Sequence, residues 1–153
     1  MYLTKIQNNF VSHGKNTYFC AQKGMPKECF IGLGSNENTA SNMISAQKDL
    51  LRFFPDIRFS SLLQTRPIGF CSPNPFFNMT AVCTTSLPLT GIRQLLKQIE
   101  MALGRKPEDK AHGIVKIDLD LLAYDGQILK PEDWERPYVQ EGVNELSHKH
   151  ASR

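Results

Sequence analysis

The chain has 153 residues, a formal net charge of +3, 41% hydrophobic residues and 22% charged residues. That is the composition of one globular domain large enough for a real core, not of a disordered chain. No run of about 18 apolar residues occurs, so no membrane-spanning helix is expected, and so small a charge permits an anionic ligand without specifying nucleic acid.

The first stretch, "MYLTKIQNNFVSHGKNTYFCAQKG" (1–24), is polar and aperiodic. It holds no apolar run of roughly 7–15 residues and is not read as a signal peptide. A poorly packed arm is expected there, either a floppy extension or an over-extended reading frame ahead of Met25. The four cysteines, Cys20, Cys29, Cys71 and Cys83, have no CxxC spacing, and the four histidines make no zinc pattern with them. They read as reduced thiols of a cytoplasmic protein.

Cys29–Leu33 reads as a strand, followed by "GSN" (34–36). Met43, Ile44, Leu50, Leu51 and Phe54 are predicted to form one helix face, capped by Thr39 or Ser41 and stopped by Pro55. Ile57–Thr65 is a predicted strand, Arg66–Asn78 a Pro/Gly-punctuated loop, and Met79–Leu87 a strand rich in β-branched residues. From Thr90, the spacing of Ile92, Leu95, Leu96, Ile99 and Leu103 predicts a second helix closed by Gly104. Arg105–Ile114 is a charged loop and Lys116–Tyr124 a strand; "YDGQIL" then reads as a hairpin turn into a short strand. The order β-α-β-β-α-β predicts an α+β, ferredoxin-like fold: an antiparallel sheet with helices packed on one face, plus a short C-terminal hairpin. The expected organisation is an arm (1–24), a domain (25–130) and a polar tail (131–153).

The strand "KIDLDLLAY" carries two aspartates where a core strand wants none. At i and i+2, Asp118 and Asp120 share one face while Ile117, Leu119 and Leu121 point to the other. On spacing alone two readings stay open. One is a pair of solvated carboxylates on the wet face of an antiparallel sheet. The other is a site for Mg²⁺, which uses one or two carboxylates together with substrate phosphates.

"CFIGLGSN", "TRPIG…PFFN", "IEMALGR" and "KIDLDLL" occur in this order over about Glu28 to Leu129. Together they resemble the 6-hydroxymethyl-7,8-dihydropterin pyrophosphokinases of folate biosynthesis. The resemblance implies transfer of the β,γ-diphosphate of ATP to the hydroxymethyl group of a reduced pterin, with release of AMP. It implies a pterin loop at Thr65, Pro67, Ile68 and Gly69, a stacking aromatic at Phe76 and a ring-edge amide at Asn78. It matches Gly34, Ser35 and Asn36 to the family's turn, Glu100 and Arg105 to its helix end, and Asp118 and Asp120 to its magnesium carboxylates. Two Mg²⁺ ions, ATP as co-substrate and a monomer without nucleic-acid or membrane partners are the expectations that follow.

The pattern breaks in the loop before the aspartates. Pro107 and Val115 stand where the family has arginines, His112 stands at a Trp position and Ile114 at a Pro position. Beyond the hairpin, Tyr138 falls at a histidine position and the closing strand is eroded. Arg105, Lys110 and Lys116 are left as the candidate catalytic cations around the phosphates. The competing readings are a pterin- or nucleotide-binding paralogue without turnover and, more remotely, a ferredoxin-like RNA-binding module, which would need aromatics on the open sheet face.

Overall fold

The structure, a computed structural model, describes residues 24–67, 72 and 74–151, with the side chains of the last two of these left out. Strand β1 (Lys27–Ser35) leads through helix α1 (Thr39–Phe53) to the short strands β2 (Arg58–Phe59) and β3 (Leu63–Thr65). Then follow β4 (Phe76–Thr85), α2 (Leu89–Ala102), a 3₁₀ turn (Pro107–His112), β5 (Asp118–Tyr124), β6 (Gln127–Ile128), α3 (Pro131–Trp134) and α4 (Pro137–Ala151). The sheet runs β2-β4-β1-β5-β6, with β3 also pairing β4. Every pairing is antiparallel. This is the expected ferredoxin-like βαββαβ arrangement, its second strand supplied by β2 and β3.

That second strand is broken for a visible reason. Between Phe59↔Ala81 and Leu63↔Asn78 four steps on one strand face three on the other, the signature of a bulge. Ser60 bridges the break: its N–H donates to Thr80 O (2.8 Å) and its Oγ accepts the Thr80 N–H (2.9 Å). The predicted hairpin turn is present, with Asp125 and Gly126 both at positive φ (52° and 78°), as a primed turn requires.

One sheet face carries the main core. Ile31 and Leu33 of β1, Ala81 and Cys83 of β4, and Leu119 and Leu121 of β5 pack under α1 and α2. In α2 Ile92, Leu95, Leu96 and Ile99 are buried as the spacing predicts, together with Gly91 and Glu100, while Leu103, at the C-cap, is only partly buried. In α1 the buried stripe is Met43, Ala46 and Leu50, running on to Phe54. Ile44 and Leu51, expected on that face, are about half exposed, because each lies one residue, some 100° of helix rotation, off the stripe.

The opposite face is covered too. Residues 131–151, read from sequence as polar tail, form α3 and α4. Val139, Gly142, Val143 and Leu146 give α4 a narrow i, i+3, i+4, i+7 stripe, and Val139, Gly142 and Leu146 are buried. The helix lies so close to β4 that a Cβ on Gly142 would come within 2.7 Å of Thr80 Oγ1. Arg58 Nη1 donates to Leu146 O (3.0 Å), and Ser61 N–H donates to the Glu145 carboxylate (2.8 Å). Trp134 meets Phe30 edge to face at 5.2 Å. The 1–24 arm lies, apart from Gly24, outside the described residues.

Candidate active site

Two glycines make the floor of the site. Gly34 lies between Asn78 and Asp118, and Gly32 between Thr80 and Asp120, across β4-β1-β5. Directly paired residues share a face, so Asn78, Asp118 and Asp120 project together, away from the main core. Both positions are tight: a Cβ would meet Asn78 Oδ1 at 3.2 Å above Gly34 and Leu122 Cδ1 at 3.3 Å above Gly32, and the neighbouring side chain would have to give by a few tenths of an ångström. Since α4 covers Thr80, the end of the sheet near Gly34 stays open as a cavity of about 350 Å³.

Phe76 and Asn78 line this cavity. Both sit on β4, which starts three residues earlier than the predicted Met79, because Thr65↔Phe76 and Ser35↔Phe77 pairing extends it at this end. Asn78 Nδ2 donates to Thr65 Oγ1 (2.6 Å), so Thr65 aims the amide. Pro67 is half-buried and lines no described cavity. Ile68 and Gly69 lie outside the described residues.

Each aspartate is held by a different cation. Arg105 Nη1 donates to Asp118 Oδ1 (2.6 Å) and to Glu100 Oε1 (2.7 Å), and Glu100 Oε1 also accepts the Leu119 N–H (2.7 Å). Lys130 Nζ donates to Asp120 Oδ1 (2.6 Å). Burial, then the charge of Asp118, raises the Asp120 carboxyl above its ordinary range, even against Lys130. Burial likewise raises Glu100, against the Leu119 hydrogen bond and Arg105.

Among the described residues, no group of three or more His, Cys, Asp or Glu side chains forms a cage able to hold a metal alone. Mg²⁺ does not need one: hard oxygen donors, two carboxylates and the phosphates of a substrate suffice. Burial is the main cause of the raised Asp120 carboxyl and repulsion from Asp118 the next; a divalent cation between the two carboxylates would relieve that repulsion, so the donor set fits. A second cavity, of about 560 Å³, lies on the α2 side of β5. Asp118, Asp120 and Arg105 line both cavities and therefore form their shared wall.

The "GSN" turn anchors the charged loop. Asn36 Oδ1 accepts the Val115 N–H (2.7 Å), and its Nδ2 donates to Gly113 O (2.7 Å) and Ser72 Oγ (2.9 Å). Ser35 Oγ donates to Lys116 O (2.6 Å). Lys110 and Val115 line the first cavity. Lys116 lines neither; its ammonium donates to Gly104 O (3.0 Å) and pairs with Asp109 at 3.6 Å. Arg66, Arg136 and Tyr138 also line the first cavity and Lys130 the second; of these four, sequence reasoning had noticed only Tyr138.

Comparison with known proteins points to one family. The family model described as 7,8-dihydro-6-hydroxymethylpterin-pyrophosphokinase matches residues 30–148. A 2-amino-4-hydroxy-6-hydroxymethyldihydropteridine pyrophosphokinase of Porphyromonas gingivalis is 27% identical over 133 residues, covering 77% of this chain and 89% of that protein. The enzyme of the same name from Methylorubrum extorquens is 33% identical over 106 residues, covering 67% and 66%. A folate synthesis bifunctional protein of Arabidopsis thaliana is 30% identical over 126 residues, which are 74% of this chain and 25% of that one. The chain thus spans a quarter of the length of the plant protein and most of the first bacterial one. With a match over most of its length, the chain belongs to the 7,8-dihydro-6-hydroxymethylpterin pyrophosphokinase family, the ATP-dependent pyrophosphokinases of folate biosynthesis.

Proposed function

We propose that this protein transfers the β,γ-diphosphate of ATP to the hydroxymethyl group of 6-hydroxymethyl-7,8-dihydropterin and releases AMP. The observation that carries the reading is the placing of Asp118 and Asp120 in the wall between two cavities. Two substrates that meet across a hard cation need that layout. The first cavity takes the pterin, with Phe76 against its ring and Asn78, aimed by Thr65, at its amide-like edge. The second takes the nucleotide, with Arg93, Lys97 and Lys106 offering charge to its phosphates.

No protein nucleophile is required. The substrate hydroxyl oxygen bonds to the β-phosphorus, the bond from that phosphorus to the α,β-bridging oxygen breaks, AMP departs with that oxygen, and the hydroxyl proton passes to solvent. Asp118 and Asp120 would hold two Mg²⁺ ions, which would supply charge neutralisation around the phosphates. Arg105, fixed between Glu100 and Asp118, and Lys110, on the edge of the first cavity, are placed to meet charge that develops in transfer. Lys116 acts one step back, by holding the loop to Gly104. A single chain lines both cavities, which favours a monomer, and dependence on ATP favours the cytoplasm. Among the described residues no helix is long and apolar enough to cross a membrane.

The reading is tested by calorimetric titration of a reduced hydroxymethylpterin with and without a non-hydrolysable ATP analogue and Mg²⁺. Both ligands are expected to bind at once, with analogue binding lost in Asp118→Asn. Mutually exclusive binding would contradict the two-cavity layout.

A further inference from the structure

The second cavity gathers Arg93, Lys97, Arg105, Lys106 and Lys130 around the carboxylates Glu100, Asp118 and Asp120. Lys130 differs from the rest in how it is held. Its backbone is fixed: its N–H reaches Leu122 O (3.4 Å), its neighbour Leu129 N–H donates to the same oxygen (2.8 Å), and its carbonyl accepts the Trp134 N–H (2.8 Å). Only the side chain is left to move. It crosses to Asp120 Oδ1 at 2.6 Å with 43% of its surface exposed.

The two carboxylates are therefore held in unlike ways. Asp118 is gripped by a guanidinium that Glu100 and the Ile117 carbonyl also hold in place. Asp120 is gripped by an ammonium on a flexible four-carbon stem, a compact charge that changes partners without moving the main chain. The fixed pair cannot give way easily; the mobile one can.

We propose that Lys130 is a positioning residue: it takes the cation's place at Asp120 before substrates arrive, and swings to phosphate oxygens of the nucleotide when a divalent cation takes Asp120. This rests on the reading of Asp118 and Asp120 as metal carboxylates. A bare metal ion must displace Lys130 and leave its charge without a counter-anion. A metal ion arriving with a polyphosphate supplies that counter-anion. Lys130 thus favours joint binding of metal and nucleotide over binding of metal alone, and compensates in part for the arginine positions now held by Pro107 and Val115.

The experiment is titration of the full chain with Mn²⁺ alone, then with Mg²⁺ and a non-hydrolysable ATP analogue, for the parent, Lys130→Met and Lys130→Arg. Lys130→Met is expected to bind Mn²⁺ about two- to fivefold more tightly, the worth of a half-exposed ion pair, and the Mg²⁺-analogue about tenfold more weakly, the worth of a charged hydrogen bond. Lys130→Arg is expected to stay near the parent in both. Unchanged or weaker Mn²⁺ binding by Lys130→Met, or unchanged analogue binding, overturns the role of Lys130. Asp118→Asn and Asp120→Asn separate the two layers of the argument. If they lose Mn²⁺ while Lys130→Met matches the parent, only the role of Lys130 falls. If they bind Mn²⁺ as the parent does, the metal reading falls and the inference with it.

Discussion

Asp120 shows how one side chain links stability to function. Burial, then Asp118, raises its carboxyl above the ordinary 3.8, so the folded chain binds this proton more tightly than the unfolded one. The stability gained from that proton is complete below the unfolded value and is lost as pH rises through the raised folded value. Asp120→Asn keeps the shape and removes the charge. Its Tm at neutral pH is expected to exceed the parent's, and the gap should close as the pH falls below about 4, the ordinary aspartate range. A thermal scan series from acid to neutral pH checks this, and added Mg²⁺ should raise Tm in the parent alone. For the pterin side, Phe76→Ala is expected to weaken binding of a reduced pterin by about 1–3 kcal/mol, the range for an aromatic stacked on a base; calorimetry with unchanged affinity would remove Phe76 from the site. The aspartates were legible in the sequence because they violate a local rule, two carboxylates in a core strand; Phe76 was picked out only by the family resemblance. Lys130 and Arg136 violate none. Their place follows only from tertiary structure, Lys130 through the turn after β6 and Arg136 through the start of α4.

At the scale of elements, the 105–116 loop and α4 carry the departures from the sequence reading. Asn36 fixes the Val115 backbone on both sides, since its own N–H also donates to Val115 O (2.9 Å), and Val115 lines the first cavity. Val115→Arg therefore has a firm base and is expected to raise turnover. Lys110→Ala is expected to lower kcat and kcat/KM together with little change in pterin affinity, as for a group that acts only in the transition state. Lys116→Ala is expected to act through the loop anchor at Gly104, loosening nucleotide binding as well as turnover, so steady-state kinetics on the pair tells the two lysines apart. Helix α4 gives a packing test. A methyl at Gly142 meets Thr80 Oγ1 at 2.7 Å and Cβ at 2.8 Å. Gly142→Ala is expected to destabilise by about 1–3 kcal/mol, as overpacking does. Adding Thr80→Ala should restore part of that loss, measured by denaturant unfolding. Helix α2 was legible because five apolar residues repeat cleanly. Helix α4 was not, because Val139, Val143 and Leu146 are spread among charged and polar neighbours and a glycine fills the closest contact.

The whole molecule is a sheet used on both faces. One face holds the main core under α1 and α2. The other is divided between α4, which seals its β4 side, and the open glycine floor that carries the site. The ferredoxin-like order was legible because strand and helix periods alternate without ambiguity along residues 25–130. The covering of the second face was not, since nothing local in a polar segment says which surface it will meet. Among the described residues, every element that lines either cavity begins at Lys27 or later, and deletion of residues 1–24 is expected to leave Tm and ligand affinities unchanged. Truncation after Lys130 is expected to uncover Val82, Leu122 and Ala123, all buried in the intact chain, and to lower Tm sharply. The most direct test of the central claim, that Asp118 and Asp120 join two substrate cavities into one diphosphate-transfer site, is AMP release from ATP with a reduced hydroxymethylpterin and Mg²⁺, run on the parent and on Asp118→Asn. AMP is expected from the parent only when both pterin and Mg²⁺ are present, and none from the variant. Equal AMP release by the two proteins, or none from the parent while it binds the pterin, would contradict it.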